Sequence, residues 1–173
     1  MTLRTTPLHR LFAAQLIDVD LRTLKDVSGL LNAMDTFAVC VVRHPVPLSD
    51  SEHIDFSRKL GLIEDRQVLV MTGTRATRIP HHEIIDQSNL DDTGAIYADG
   101  DRRLGFKRAN RLWHTDISFH PIRATYSLLS AHVVPPVPAD TEFADMRAVY
   151  DALPETMKAR LDGLVAEHSY WHS

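Results

Sequence analysis

His114-Thr115-Asp116 is the segment where residue types and spacing first suggest chemistry. On an extended strand, residues i and i+2 point to the same face, so an imidazole and a carboxylate two apart can converge on one metal ion. The pair makes two-thirds of the 2-His-1-carboxylate facial triad, a ligand set that leaves positions open on non-haem Fe(II). With ten His and 17 Asp among 173 residues, about one such H-x-D pattern arises by chance. A second copy, His53-Ile54-Asp55, follows a helix-start signal. On a helix, residues two apart lie about 200° around the axis and cannot reach one ion. The alternative for His114 is a hydrogen-bonded histidine at a strand edge, with Asp116 a polar neighbour.

The other reactive side chains offer less. His81-His82-Glu83 reads as a solvated turn, and His9, His44, His53, His120 and His132 have no partner at metal-ligand spacing. His168 and His172 stand four apart in a segment that reads as a strand, where that spacing is about 13 Å, too far for one ion. Cys40 lies in an apolar run, which disfavours a thiolate. Neither a G-x-S-x-G elbow nor a glycine-rich phosphate loop occurs. Arg102, Arg103, Lys107, Arg108 and Arg111 share their stretch with Asp91, Asp92, Asp99 and Asp101, so that stretch reads as solvated lid charge.

Positioning such a pair requires a packed scaffold, and 173 residues with 44% hydrophobic and 24% charged residues fit one globular domain spanning 1–173. The formal net charge of −4 argues against a nucleic-acid partner. The longest apolar runs, near Phe37–Val42 and Tyr126–Ala131, are far too short to span a membrane. A single cysteine and an N-terminus, Met1-Thr2-Leu3-Arg4, without an apolar signal core predict a cytoplasmic protein.

Apolar residues at Val27, Leu30, Leu31 and Met34 predict a helix over Val27–Asp35, and Phe37–Val42 predicts a buried strand. Ser49-Asp50-Ser51-Glu52 is a capping box; its helix is expected to reach about Leu60, with Gly61 as the left-handed stop. Strands are expected at Gln67–Thr72, Glu83–Asp86, Leu112–Phe119, Ala124–Val133, Thr141–Ala144 and Leu164–Tyr170. Asp145 is placed to cap a helix through Ala152, and Pro154 to begin one ending near Gly163. The aperiodic stretch Gln87–Arg111 predicts a lid, a binding loop or a disordered segment.

The run Leu112-Trp113-His114-Thr115-Asp116-Ile117-Ser118-Phe119, with Asp140-Thr141 placing the threonine 27 residues after the histidine, resembles the taurine/2,4-D dioxygenase family. Pro7-Leu8-His9, Leu11-Phe12-Ala13-Ala14, Val134-Pro135-Pro136, Asp145-Met146-Arg147-Ala148, Tyr150-Asp151-Ala152-Leu153-Pro154 and Ala166-Glu167-His168 extend the resemblance along the chain, toward its 2,4-dichlorophenoxyacetate branch. It implies an α+β, mainly β fold: a double-stranded β-helix (jelly roll) with flanking helices. It also implies an Fe(II)-dependent dioxygenase that uses 2-oxoglutarate and O₂ to hydroxylate a small anionic organic substrate. On that resemblance His114 and Asp116 are iron ligands, Thr141 bonds the distal carboxylate of 2-oxoglutarate, and Asn110 and Ile117 touch substrate. The family's second iron histidine and its 2-oxoglutarate arginine have no counterpart within residues 1–173. The expectation is therefore the N-terminal portion of a longer enzyme, with the C-terminal part of the jelly roll missing and the 173 residues inactive by themselves. An aryloxyalkanoate such as 2,4-D is the leading substrate. A sulfonate dioxygenase and a non-catalytic jelly-roll binding protein are the alternatives, and a homo-oligomer stays open.

Overall fold

A computed structural model describes residues 2–64, 78–101, 104, 111–137 and 140–168. The chain divides into two compact units, the first built from residues 1–59 and 129–165 and the second from residues 60–128 and 166–173.

The first unit is organised by three short strands, β1 (Thr5–His9), β2 (Ala13–Leu16) and β3 (Val39–Val42), in the order β1-β2-β3. β1 and β2 pair antiparallel, with Thr5 opposite Leu16, whereas β2 and β3 pair parallel, with Ala13 opposite Val39 and Leu16 opposite Val42. Parallel neighbours need a crossover, which helix α1 (Ser28–Phe37) supplies. Ala38 ends α1 at φ 57° with its N–H on the Met34 carbonyl at 2.7 Å, and β3 begins at the next residue. Alternation along β2 buries Ala14 and Leu16, and these pack into a core with Leu30, Ala33, Leu48, Ile54 and Phe56. Cys40, half-buried on β3, has its thiol pKa raised by desolvation.

Helix α2 (Asp50–Arg58) starts at the complete capping box: the Ser49 hydroxyl accepts from the Glu52 amide at 3.3 Å, and Glu52 accepts from the Ser49 amide at 2.8 Å. Glu52 also accepts from Arg22 Nε at 3.2 Å, and Arg22 donates to the Val46 and Pro47 carbonyls at 2.8 and 2.9 Å. One guanidinium thus ties the loop after β2 to the segment leading into α2. Helix α3 (Met146–Asp151) is capped by Asp145, which accepts the Arg147 amide at 3.0 Å, and α4 (Glu155–Leu161) follows Pro154. Arg147 reaches across 112 residues to donate to the Asp35 carbonyl at 2.6 Å; an arginine here satisfies a last-turn carbonyl of α1.

Four expected elements therefore form: the helices at 27–35, 50–60, 146–152 and 155–163, each within a few residues. The strand at Phe37–Val42 starts two residues late, at Val39, because Phe37 completes α1. The expected strands at Glu83–Asp86, Leu112–Phe119, Ala124–Val133 and Thr141–Ala144 do not form, and neither do the described residues of Leu164–Tyr170. Apolar, β-branched runs supply side chains for a strand, but a strand also needs a neighbour for its backbone groups. Leu112, Ile122, Leu129 and Val133 instead stand exposed. Gln67–Thr72 lies outside the described residues. Residues 89–97 of the expected lid close a local loop: Asp91 accepts from the Thr93 and Ala95 amides, and the Tyr97 amide bonds the Asn89 carbonyl at 2.9 Å.

Two measurements check this fold. Ser49→Ala removes the cap and should cost about 1 kcal/mol in urea unfolding, while Ser49→Asp, which can still accept, should lose much less. His53, half-buried on α2, has its pKa lowered first by desolvation and then by the charge of His132, with Asp50 opposing. The unfolded chain therefore binds more protons than the folded one, and stability falls as pH drops through the unfolded value of about 6.5. His53→Gln should flatten the loss of melting temperature between about pH 7.5 and pH 5.5; an unchanged slope would contradict this assignment.

Candidate metal centre

His114 and Asp116 belong to the second unit, on a segment without regular structure that turns at residues 116–119. The expectation that a strand's pleat aligns them is corrected, yet the two side chains do converge: His114 Nε2 lies 3.4 Å from Asp116 Oδ1. Local bonds bring them together. His114 Nδ1 is 2.7 Å from the Leu112 carbonyl, and a carbonyl only accepts, so Nδ1 carries a proton and donates. The same bond consumes a backbone acceptor that a β-ladder would have used. Asp116 accepts from the Ser127 hydroxyl at its other oxygen, Oδ2, at 2.7 Å. Ile117 then takes φ 55°, an uncommon conformation for a β-branched residue, and the His120 amide closes the turn on the Ile117 carbonyl at 3.1 Å.

The donor set suits a divalent cation. With Nδ1 committed to the Leu112 carbonyl, Nε2 is the ring nitrogen that faces the carboxylate oxygen, and in the neutral tautomer it offers its lone pair to a cation. Charge-assisted hydrogen bonds of this type run to about 2.7–2.9 Å, shorter than the 3.4 Å found here. Two cis ligands with metal bonds of about 2.1 Å stand about 3 Å apart, so the observed spacing is near what one ion requires. Tethering the second ring nitrogen to a carbonyl, and the second carboxylate oxygen to a hydroxyl, is the usual support of metal ligands. His114 and Asp116 are about half exposed, at 47% and 52%, which leaves the pair accessible. Among the described residues no third His, Cys, Asp or Glu joins them.

The remaining expected site residues are placed as follows. Thr141 is exposed in the first unit, on the irregular stretch before α3. Ile117 is half-buried beside Asp116, and Asn110 lies outside the described residues. His53 and Asp55 sit within α2, where Asp55 pairs with Arg58 at 3.1 Å, so the second H-x-D forms no chelate. His82 lies in a turn 3.6 Å from Glu83. His168 meets Ser118 at 3.0 Å, and His172 lies outside the described residues. The residue that sequence reasoning missed is Ser127. Its one signal was a hydroxyl inside the apolar run Tyr126–Ala131, with nothing to indicate a partner 11 residues away.

The family model of taurine catabolism dioxygenase TauD, TfdA family, matches residues 4–173. The chain is 42% identical over 171 residues to the alpha-ketoglutarate-dependent 2,4-dichlorophenoxyacetate dioxygenase of Cupriavidus pinatubonensis, covering 97% of the chain and 58% of that relative. It is 32% identical over 170 residues to the (S)-phenoxypropionate/alpha-ketoglutarate-dioxygenase of Sphingobium herbicidovorans, covering 96% and 53%. A crystal structure of AAD-2 in complex with Mn(II) and N-oxalylglycine is similar with a TM-score of 0.88 and 38% identity, covering 98% of this chain and 59% of that one. The chain thus spans a little over half the length of the relatives it matches. By the near-complete family match and these identities, the chain belongs to the TauD/TfdA dioxygenase family.

Proposed function

We propose that this chain forms part of an Fe(II)- and 2-oxoglutarate-dependent dioxygenase that hydroxylates aryloxyalkanoates such as 2,4-D. The observation that carries the reading is the 3.4 Å convergence of His114 Nε2 and Asp116 Oδ1, each anchored through its other polar atom. The relatives similar over nearly the whole chain bear the names of 2,4-dichlorophenoxyacetate and phenoxypropionate dioxygenases, which favours an aryloxyalkanoate over a sulfonate. N-oxalylglycine, held with Mn(II) in the similar structure, is 2-oxoglutarate with an N–H in place of one CH₂.

In this reading His114 and Asp116 would hold Fe(II). The bound ion would supply the oxidising chemistry for C–H hydroxylation, in which O₂ and 2-oxoglutarate are consumed and succinate and CO₂ are released with the hydroxylated product. Hydroxylation next to the ether oxygen gives a hemiacetal, which falls apart to a phenol and glyoxylate. Asp116 contributes the anionic ligand and His114 a neutral one whose tautomer the Leu112 carbonyl fixes. Thr141 donates to the distal carboxylate of 2-oxoglutarate, and Asn110 and Ile117 border the substrate. The reading assigns the second iron histidine and the 2-oxoglutarate arginine to a segment following residue 173. Residues 1–173 are then the N-terminal portion of one jelly-roll domain in a cytoplasmic enzyme.

In the complete gene product, Asp116→Ala should lower succinate formation by more than the roughly 100-fold that loss of a mere supporting partner costs. His53→Ala should leave it largely intact. The assay supplies Fe(II), ascorbate, 2-oxoglutarate and 2,4-D, with taurine as the competing substrate, after circular dichroism shows both variants folded. Equal loss in both variants, or full activity in Asp116→Ala, would overturn the assignment. Turnover of taurine in preference to 2,4-D would overturn the substrate class.

A further inference from the structure

We propose that Ser127 is a positioning residue that holds Asp116 as a one-oxygen ligand; the proposal rests on the metal reading of the His114–Asp116 pair. A carboxylate has two equivalent oxygens and can bind a cation through one or both. Here they are not equivalent. Oδ2 accepts the Ser127 hydroxyl at 2.7 Å, while Oδ1 faces His114 Nε2 at 3.4 Å. The Ser127 hydroxyl is the donor, and the length is that of a well-formed O–H···O bond.

Ser127 lies 11 residues beyond Asp116. The bond therefore spans the turn at 116–119 and the left-handed Ile117, and it sets the rotation of the carboxylate from outside the ligand segment. Without the hydroxyl, Oδ2 is free to turn toward the cation. Two-oxygen binding would then occupy a position that a bidentate cosubstrate needs, and the loss of a fixed rotamer would weaken the ligand itself. Threonine retains the hydroxyl; valine matches threonine in shape and removes it.

The test uses the complete gene product with Mn(II) alone, the free ion being counted by electron paramagnetic resonance. N-oxalylglycine is then titrated calorimetrically into the Mn(II)-loaded protein. Ser127→Val should weaken Mn(II) binding by about 10-fold or more, and Ser127→Thr should stay within about threefold of the parent. Ser127→Val should weaken N-oxalylglycine as well, and the bound Mn(II) spectrum should change in Ser127→Val but not in Ser127→Thr. A purely structural role would treat the two isosteric variants alike, and equal affinities and spectra in both would overturn the proposal. Asp116→Ala separates the two levels. If it loses Mn(II) while Ser127→Val does not, only the role of Ser127 falls. If it binds Mn(II) like the parent, the metal reading falls and the role of Ser127 falls with it.

Discussion

One imidazole nitrogen held against one carboxylate oxygen sets the terms for the rest of this site. With its Nδ1 proton committed to the Leu112 carbonyl, His114 turns Nε2 toward a carboxylate oxygen 3.4 Å away. A proton on Nε2 or a bound cation can bridge the two atoms, and their separation is longer than a charge-assisted hydrogen bond. The pair offers two of the three protein groups of a 2-His-1-carboxylate set, and no third joins it among the described residues. Neither group could be rotated away without breaking a 2.7 Å bond at its far side. Local hydrogen bonds, and not the pleat of a strand, bring imidazole and carboxylate together.

The two units differ in how they are held. Every buried apolar side chain among the described residues, from Ala14 to Phe56, lies in the first unit. There, a three-stranded sheet, two capped helices and the guanidinium hubs of Arg22 and Arg147 fix the backbone. Around the candidate centre, packing contributes little: Leu112 and Trp113 are 72% and 69% exposed. Side-chain bonds to backbone and neighbouring side chains define the ligand geometry instead.

What could be read from the sequence follows the range of the interactions involved. The α2 capping box and the Asp145 cap involve residues two or three apart, and both form as the sequence pattern implies. The α1 helix follows from one apolar stripe, and its handover to β3 at Ala38 shifts the expected strand by only two residues. The β1–β2 pair went unread because both strands are short and their residue types, Thr5-Thr6-Pro7-Leu8-His9 and Ala13-Ala14-Gln15-Leu16, do not alternate apolar with polar, although burial along β2 does alternate. The run 112–119 misled in the other direction: its apolar residues suit a strand, but Ile117 turns left-handed and His114 occupies the Leu112 carbonyl. His114 and Asp116 nonetheless lie close together, although the strand expected to align them does not form. Ser127 went unread, since a bond across 11 residues leaves no periodicity behind.

The most direct test is diffraction from crystals of the complete gene product grown with Mn(II), recorded on both sides of the manganese absorption edge. The account predicts one anomalous peak bonded to both His114 Nε2 and Asp116 Oδ1, with Nδ1 still on the Leu112 carbonyl and Ser127 still on Oδ2. Manganese bound at other residues, with His114 Nε2 directed away from Asp116, would contradict it.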